Sequence, residues 1–253
     1  MIGSVTSLLA GQLAAGGLFV VAVLAWANEL PGSFLRFCTL SAAGSAMLAG
    51  VVDPGPARWV WLGFAGVSAT LYGLVRSGRG LRKPAAALAV SAAAAAPILS
   101  AILSSENDPG LAIAGAVSSS LLLGAVTVTM ILGHWYLVDT SLSISPLRDG
   151  ARWFSIAVAL RWGAVLLVLG YGGWEVLRVS RVADFIFSTN GLFFLFRSLM
   201  GLAAPLLLAG LIWQTVKMRS TQSATGLLYV ALILVLFGEL VSQFLLVMTG
   251  FPL

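Results

Sequence analysis

Side chains that carry chemistry are scarce in this sequence. It has one cysteine, one histidine and nine acidic residues, and charged residues make up only 9% of the chain. A single cysteine, Cys38, excludes a disulfide within the chain and any cysteine-held metal or iron–sulfur cluster that the chain would bind alone. It reads as a small buried hydrophobe. With His134 as the only histidine there is no His-x-x-x-His pair, and a haem needs a second axial ligand from a methionine or from another subunit. Gly-x-Ser-x-Gly, Cys-x-x-Cys and paired aspartates on one helical face are missing too, which argues against an autonomous hydrolase or metalloenzyme. So is a succession of carboxylates within the apolar segments, the usual mark of self-contained ion pumping.

Apolar residues are what the sequence has in excess. They form 59% of it, and its 9% of charged residues compare with roughly 25% in an average soluble domain. A membrane span needs about 20 mostly apolar residues, because ~30 Å of hydrocarbon must be crossed with every backbone polar group bonded inside the helix. The pattern predicts an all-α, polytopic integral membrane helix bundle of about eight transmembrane helices. Their expected ranges are about 4–27, 35–53, 58–75, 84–104, 110–138, 152–177, 187–215 and 222–248, in a single transmembrane domain with no soluble domain beside it. The first span has no Lys or Arg before it and no small-residue cleavage site followed by polar sequence, so it reads as a retained anchor.

Orientation follows from the basic residues in the short loops. Arg36, Arg76, Arg79, Arg82, Lys83, Arg148, Arg152, Lys217 and Arg219 fall on one side, against Arg58, Arg178 and Arg181 on the other. That asymmetry places both termini outside and the 76–83 loop in the cytoplasm. The net charge of +5, which in a soluble protein would suggest nucleic acid, is here an orientation mark, and no nucleic-acid partner is expected. Pro and Gly punctuate the loops, with Asp108 and Pro109 forming a helix N-cap and first turn. Short loops make neighbouring helices antiparallel. The long exception is a cytoplasmic linker over 139–150, the best candidate for partner contact on that side. The fourth span is rich in alanine, which predicts a central, tightly packed helix kinked at Pro97.

The few ionisable residues inside spans are the functional candidates, since a charge at the bilayer centre costs at least ~2.5–3.5 kcal/mol on insertion scales. Arg161, Arg197 and Glu239 lie at depths that allow them to meet. Ser242 and Gln243 follow Glu239 by three and four residues and share its face, Glu175 shares that of Arg161, and Asn190 that of Arg197. The result is a polar seam between spans six, seven and eight. Two arginines against one carboxylate leave a surplus positive charge, which a quinone oxygen, a haem propionate, an acidic lipid or a partner's carboxylate can compensate. A structural salt bridge explains the seam equally well. His134, about one turn from the cytoplasmic end of span five, can serve as a haem or quinone ligand or as an interfacial residue beside Trp135 and Tyr136.

Three pieces of sequence resemble a known family. The segment Gly11-Gln12-Leu13-Ala14-Ala15-Gly16-Gly17-Leu18-Phe19-Val20, Arg197, and Gly238-Glu239-Leu240 are similar to landmarks of the DMSO reductase membrane-anchor family, which is related to polysulfide-reductase-type quinol subunits. The quoted pieces make up 14 of the 253 residues. Eight spans with both termini outside also fit that family. The resemblance implies a multi-pass subunit of a respiratory complex in the inner membrane of a bacterium, not catalytic alone, that docks other membrane or peripheral redox subunits. It implies as cofactor a quinone, or a haem b shared with a partner subunit, and the polar residues His134, Arg161, Arg197, Glu239 and Gln243 read above are the candidates to line its site. Two other readings of the same residues are a carrier for a small anionic or lipidic substrate and a ligand-free scaffold subunit.

Overall fold

The computed structural model describes residues 1–78, 83–105, 108–139, 142–171 and 189–252, with the side chains of Thr189 and Asn190 outside that set. Among the described residues every regular element is helical. The elements are α1 (Ile2–Ala27), α2 (Gly32–Val52), α3 (Arg58–Arg76), α4 (Lys83–Ser104), α5 (Pro109–Val138), α6 (Ser145–Gly170), α7 (Thr189–Phe196), a π-helical segment (Arg197–Ala203), α8 (Ala204–Lys217) and α9 (Thr221–Thr249). Seven of the rods are long and apolar enough to cross a membrane, with Gly191–Lys217 counting as one. The chain therefore has the character of a multi-pass helical membrane protein. The third expected span, α3, is a helix of the bundle but is not among the seven. Arg58, Trp59, Trp61, Tyr72 and Arg76 dilute its apolar content.

Two boundaries differ from expectation. α6 begins at Ser145, so the second half of the expected 139–150 linker is helix. Pro146 stands in its first turn, where a missing N–H breaks no intrahelical bond. The same helix ends at Gly170, and the expected continuation over 172–177 lies outside the described residues. The Asp108 cap is as expected: its Oδ1 accepts from the N–H of Gly110 at 2.7 Å and of Leu111 at 3.4 Å.

The centre of the bundle is α1 and α5, not α4. In their most apolar stretches 61% of residues are buried, against 39% for α4. The alanines of α4 explain the difference. Ala86, Ala89, Ala93 and Ala96 are buried on one stripe, while Leu88, Leu99, Ile102 and Leu103 face outward. A small-residue stripe thus permits close contact on one side without making the helix central. The true close approach is between α1 and α5. A Cβ built on Gly16 would stand 1.6 Å from the Ser120 carbonyl oxygen, and one on Gly124 would stand 1.9 Å from the Gly16 carbonyl carbon. Only two glycines let these backbones touch.

Both chain ends lie on one face. Ser4, the 53–56 loop, Ser104, Asp108 and Gly250 line one cavity there, and Pro252 packs on Gly115 near the start of α5. At the opposite face Asn28 bonds Asp149, Phe34 and Phe37 pack on Trp135, and Arg152 stacks on Trp213. The described basic residues of the loops divide between these faces as the loop count expects: Arg58 at the terminal face, Arg36, Arg76, Lys83, Arg148, Arg152, Lys217 and Arg219 at the other.

Candidate functional site

Glycine contacts also set the position of the buried charges. Gly201, inside the π-helical segment, and Gly238 of α9 meet at their backbones: a Cβ on either would come within 2.6 Å of the other's Cα. One residue beyond Gly238 is Glu239, and one turn before Gly201 is Arg197, so the crossing brings that pair together. On the other side, Gly16 against Ser120 places Gln12, one turn earlier on α1, beside Ser119. Five rods thus converge on one polar centre about ten residues, ~15 Å, from the terminal face.

Its core is a forked ion pair. Arg161 Nε donates to Glu239 Oε1 at 2.9 Å and Arg161 Nη2 to Oε2 at 3.1 Å, with both side chains 1% exposed. The remaining guanidinium protons go to Ser242 Oγ at 2.7 Å, Ser118 Oγ at 3.3 Å and the Gly115 carbonyl at 3.4 Å. Ser119 Oγ donates to Glu239 Oε2 at 2.5 Å and also lies 2.8 Å from Gln12 Oε1, which accepts from Gln243 Nε2 at 2.8 Å. A hydroxyl has one proton, and the shorter contact and the charge both assign it to the carboxylate. Gln12 is then held chiefly by Gln243.

Arg197 differs. Its Nη2 is 3.6 Å from Glu239 Oε1, yet none of its three nitrogens has a hydrogen-bond partner among the described residues although the residue is fully buried. Counted at ordinary charges, Arg161, Arg197 and Glu239 leave one surplus positive charge, as the sequence predicts. Arg197 begins a π-helical stretch, a geometry frequent at functional sites.

The structure therefore brings together Arg161, Arg197, Glu239 and Gln243 of the expected set. His134 is elsewhere. It is exposed on α5, fifteen residues or ~22 Å along the helix from Ser119, with Nδ1 3.0 Å from the Tyr229 hydroxyl. Glu175 lies outside the described residues, as does the side chain of Asn190. Sequence reading misses Ser118 and Ser119 and treats Gln12 only as part of a segment. The available signals were a run of three serines in an apolar span and a lone amide in another.

Gln12 also lines a cavity of about 520 Å³ at the terminal face, walled by α1, α3, α4, α5, α9 and the 53–56 loop. Two of its lining residues each hold a buried polar atom without a hydrogen-bond partner among the described residues, Trp61 Nε1 and Ser100 Oγ. Its described walls include Asp53 and Asp108 but no Lys or Arg. Asp53 is engaged by Ser7 Oγ at 2.7 Å and the Gly55 N–H at 2.7 Å. Gln12 is the link between this cavity and the ion centre. Comparisons with family models, curated proteins and solved structures give no match.

A test of the centre's packing is Ser119→Ala. Removing the hydroxyl leaves Glu239 Oε2 and the Gln12–Gln243 pair each short of a partner, and about 1–3 kcal/mol of stability is expected to go with it. Thermal unfolding in detergent reads this as a fall in midpoint. An unchanged midpoint would mean that Ser119 is no part of the network.

Proposed function

We propose that this chain is the integral membrane subunit of a multi-subunit redox complex, and that its terminal-face cavity takes the head group of a quinone. The observation that carries the reading is the cavity itself. Its volume falls within the ~300–1,000 Å³ range of small-molecule sites, and its walls mix apolar residues with Gln12, Ser100 and other polar side chains. Trp61 Nε1 offers a proton and has no acceptor, which suits a ring carbonyl, and Ser100 and Gln12 supply further polar groups. Walls with two aspartates and no Lys or Arg suit an uncharged ligand better than an anion.

Arg161, Glu239, Ser119 and Gln243 then act behind the cavity, as residues that position Gln12. Arg197 adds positive charge beside Glu239. Residue resemblance to membrane-anchor subunits supports the partners: an iron–sulfur subunit docked outside the bilayer, and electrons exchanged with membrane quinone. A haem within this chain alone has weaker support, since His134 is the one histidine of the chain and is exposed, far from the centre.

One observation favours a scaffold subunit without ligand. The Glu239 carboxylate is satisfied entirely by Arg161 and Ser119, as a purely structural centre requires. A carrier for small anions gains less, because the arginines are enclosed and the cavity is acidic.

The experiment is equilibrium binding of a short-chain quinone to the purified chain. Trp61→Phe keeps the ring and removes the donor, and Gln12→Ala removes the amide; each is expected to raise Kd about five- to tenfold. Kd unchanged in both variants would sink the quinone reading.

A further inference from the structure

A second ligand surface lies at the opposite, basic face, where α6 begins and α8 ends. Arg152 stands 5.5 Å and Lys217 6.0 Å from the ring centre of the same residue, Trp213. One indole thus gathers two cations at the end of the apolar rods, the depth at which tryptophan and basic side chains meet lipid head groups. The neighbouring carboxylate is Asp149, 3.1 Å from Arg152 and shared with Asn28. Arg148 lies one turn before Arg152 on the same face, and its Nε is buried without a hydrogen-bond partner. Among the described residues Asp149 is the carboxylate ion-paired with this cluster, which itself holds the three cations Arg148, Arg152 and Lys217.

Beyond the cations the two helices continue as apolar ridges. Ile156 and Leu160 follow Arg152 down α6 at four-residue spacing and are 46% and 52% exposed. On α8, Leu206 lies on the same face as Lys217 and is 47% exposed. Between those ends of the ridges, Gly163 of α6 and Gly210 of α8 have open space where a side chain would stand. The seam of these packed helices is therefore shallow and apolar below a cationic head, on the outside of the bundle.

We propose that the Arg152–Trp213–Lys217 cluster binds the phosphate of an anionic phospholipid, whose acyl chains lie along the α6–α8 seam. A phosphodiester accepts from a guanidinium and an ammonium at once, and the indole fixes both cations so that little side-chain freedom remains to be lost. The apolar ridges select a lipid over a free phosphate ion. This site is about the length of the bundle away from the cavity and does not depend on the quinone reading.

The test is native mass spectrometry of the full chain in detergent with phosphatidylglycerol or phosphatidylcholine added, and with inorganic phosphate as competitor. Arg152→Gln/Lys217→Gln is expected to weaken phosphatidylglycerol binding about tenfold and to leave phosphatidylcholine unchanged. Arg36→Gln/Lys83→Gln, which removes equal charge elsewhere on that face, is expected to bind as the parent does. Arg152→Lys/Lys217→Arg keeps the charge and is expected to retain binding, which separates loss of the site from loss of the fold. Undiminished phosphatidylglycerol binding by the glutamine pair would overturn the proposal. So would an equal loss in the Arg36/Lys83 control or in the charge-retaining pair, or full displacement of the lipid by phosphate.

Discussion

Replacing Glu239 with alanine is expected to remove about 3–5 kcal/mol of stability and to prevent recovery of a monodisperse protein in detergent. The reason is what remains. Arg161 is 1% exposed and loses both of its carboxylate contacts, while Arg197, already without a hydrogen-bond partner, loses its nearest counter-charge. Breaking a buried pair by removing one partner leaves an uncompensated charge, whereas replacing the whole group with apolar residues is often neutral. The combined variant Arg161→Met/Arg197→Met/Glu239→Leu is therefore expected to recover most of the loss, as read by yield and unfolding midpoint. It also separates the two readings of the centre. A folded triple variant with parental quinone affinity would leave the charges a structural role alone, and a folded one that binds quinone weakly would assign them to the site. If Glu239→Ala unfolds no more easily than the parent, the ion centre is not what holds these helices.

Gly16→Ala is expected to have an effect of similar size from a single added carbon. Its Cβ would stand 1.6 Å from the Ser120 carbonyl oxygen, a backbone atom that cannot rotate away. Normal contact needs roughly twice that distance, so α1 and α5 must separate, and every helix packed on them must follow. Gln12, one turn away, would leave Ser119 and Gln243. About 3 kcal/mol or more of lost stability is expected. The adjacent Gly17→Ala is the control: nothing lies within 4 Å of its Cβ, and its effect should stay within about 0.5 kcal/mol. Equal behaviour of the two variants in thermal unfolding would contradict the central α1–α5 contact.

Much of the architecture is legible because membrane spans are constrained so strongly. Hydropathy finds the rods, Asp108 and Pro109 announce the start of α5, and helical periodicity puts Glu239, Ser242 and Gln243 on one face. The need to neutralise buried charge is enough to bring Arg161, Arg197 and Glu239 together, but not to choose which arginine forks the carboxylate. What periodicity cannot supply is the choice of neighbour. The α1–α5 contact depends on Gly16, Gly124 and the Ser120 backbone, three positions among many small residues, and with it goes the role of Gln12 and Ser119. The alanines of α4 mislead for the same reason, since composition counts small residues without saying that their stripe is one-sided. His134 shares only the property of being ionisable within an apolar segment. Its position near the far end of α5 already separates it from Glu239 by most of the bilayer's thickness.

Native mass spectrometry of the protein extracted from its own membrane in mild detergent tests the central claim most directly, since it weighs subunits and bound small molecules together. This chain is expected in a complex with redox subunits, carrying a quinone that Trp61→Phe depletes. A lone chain or a homo-oligomer carrying only phospholipid would contradict it.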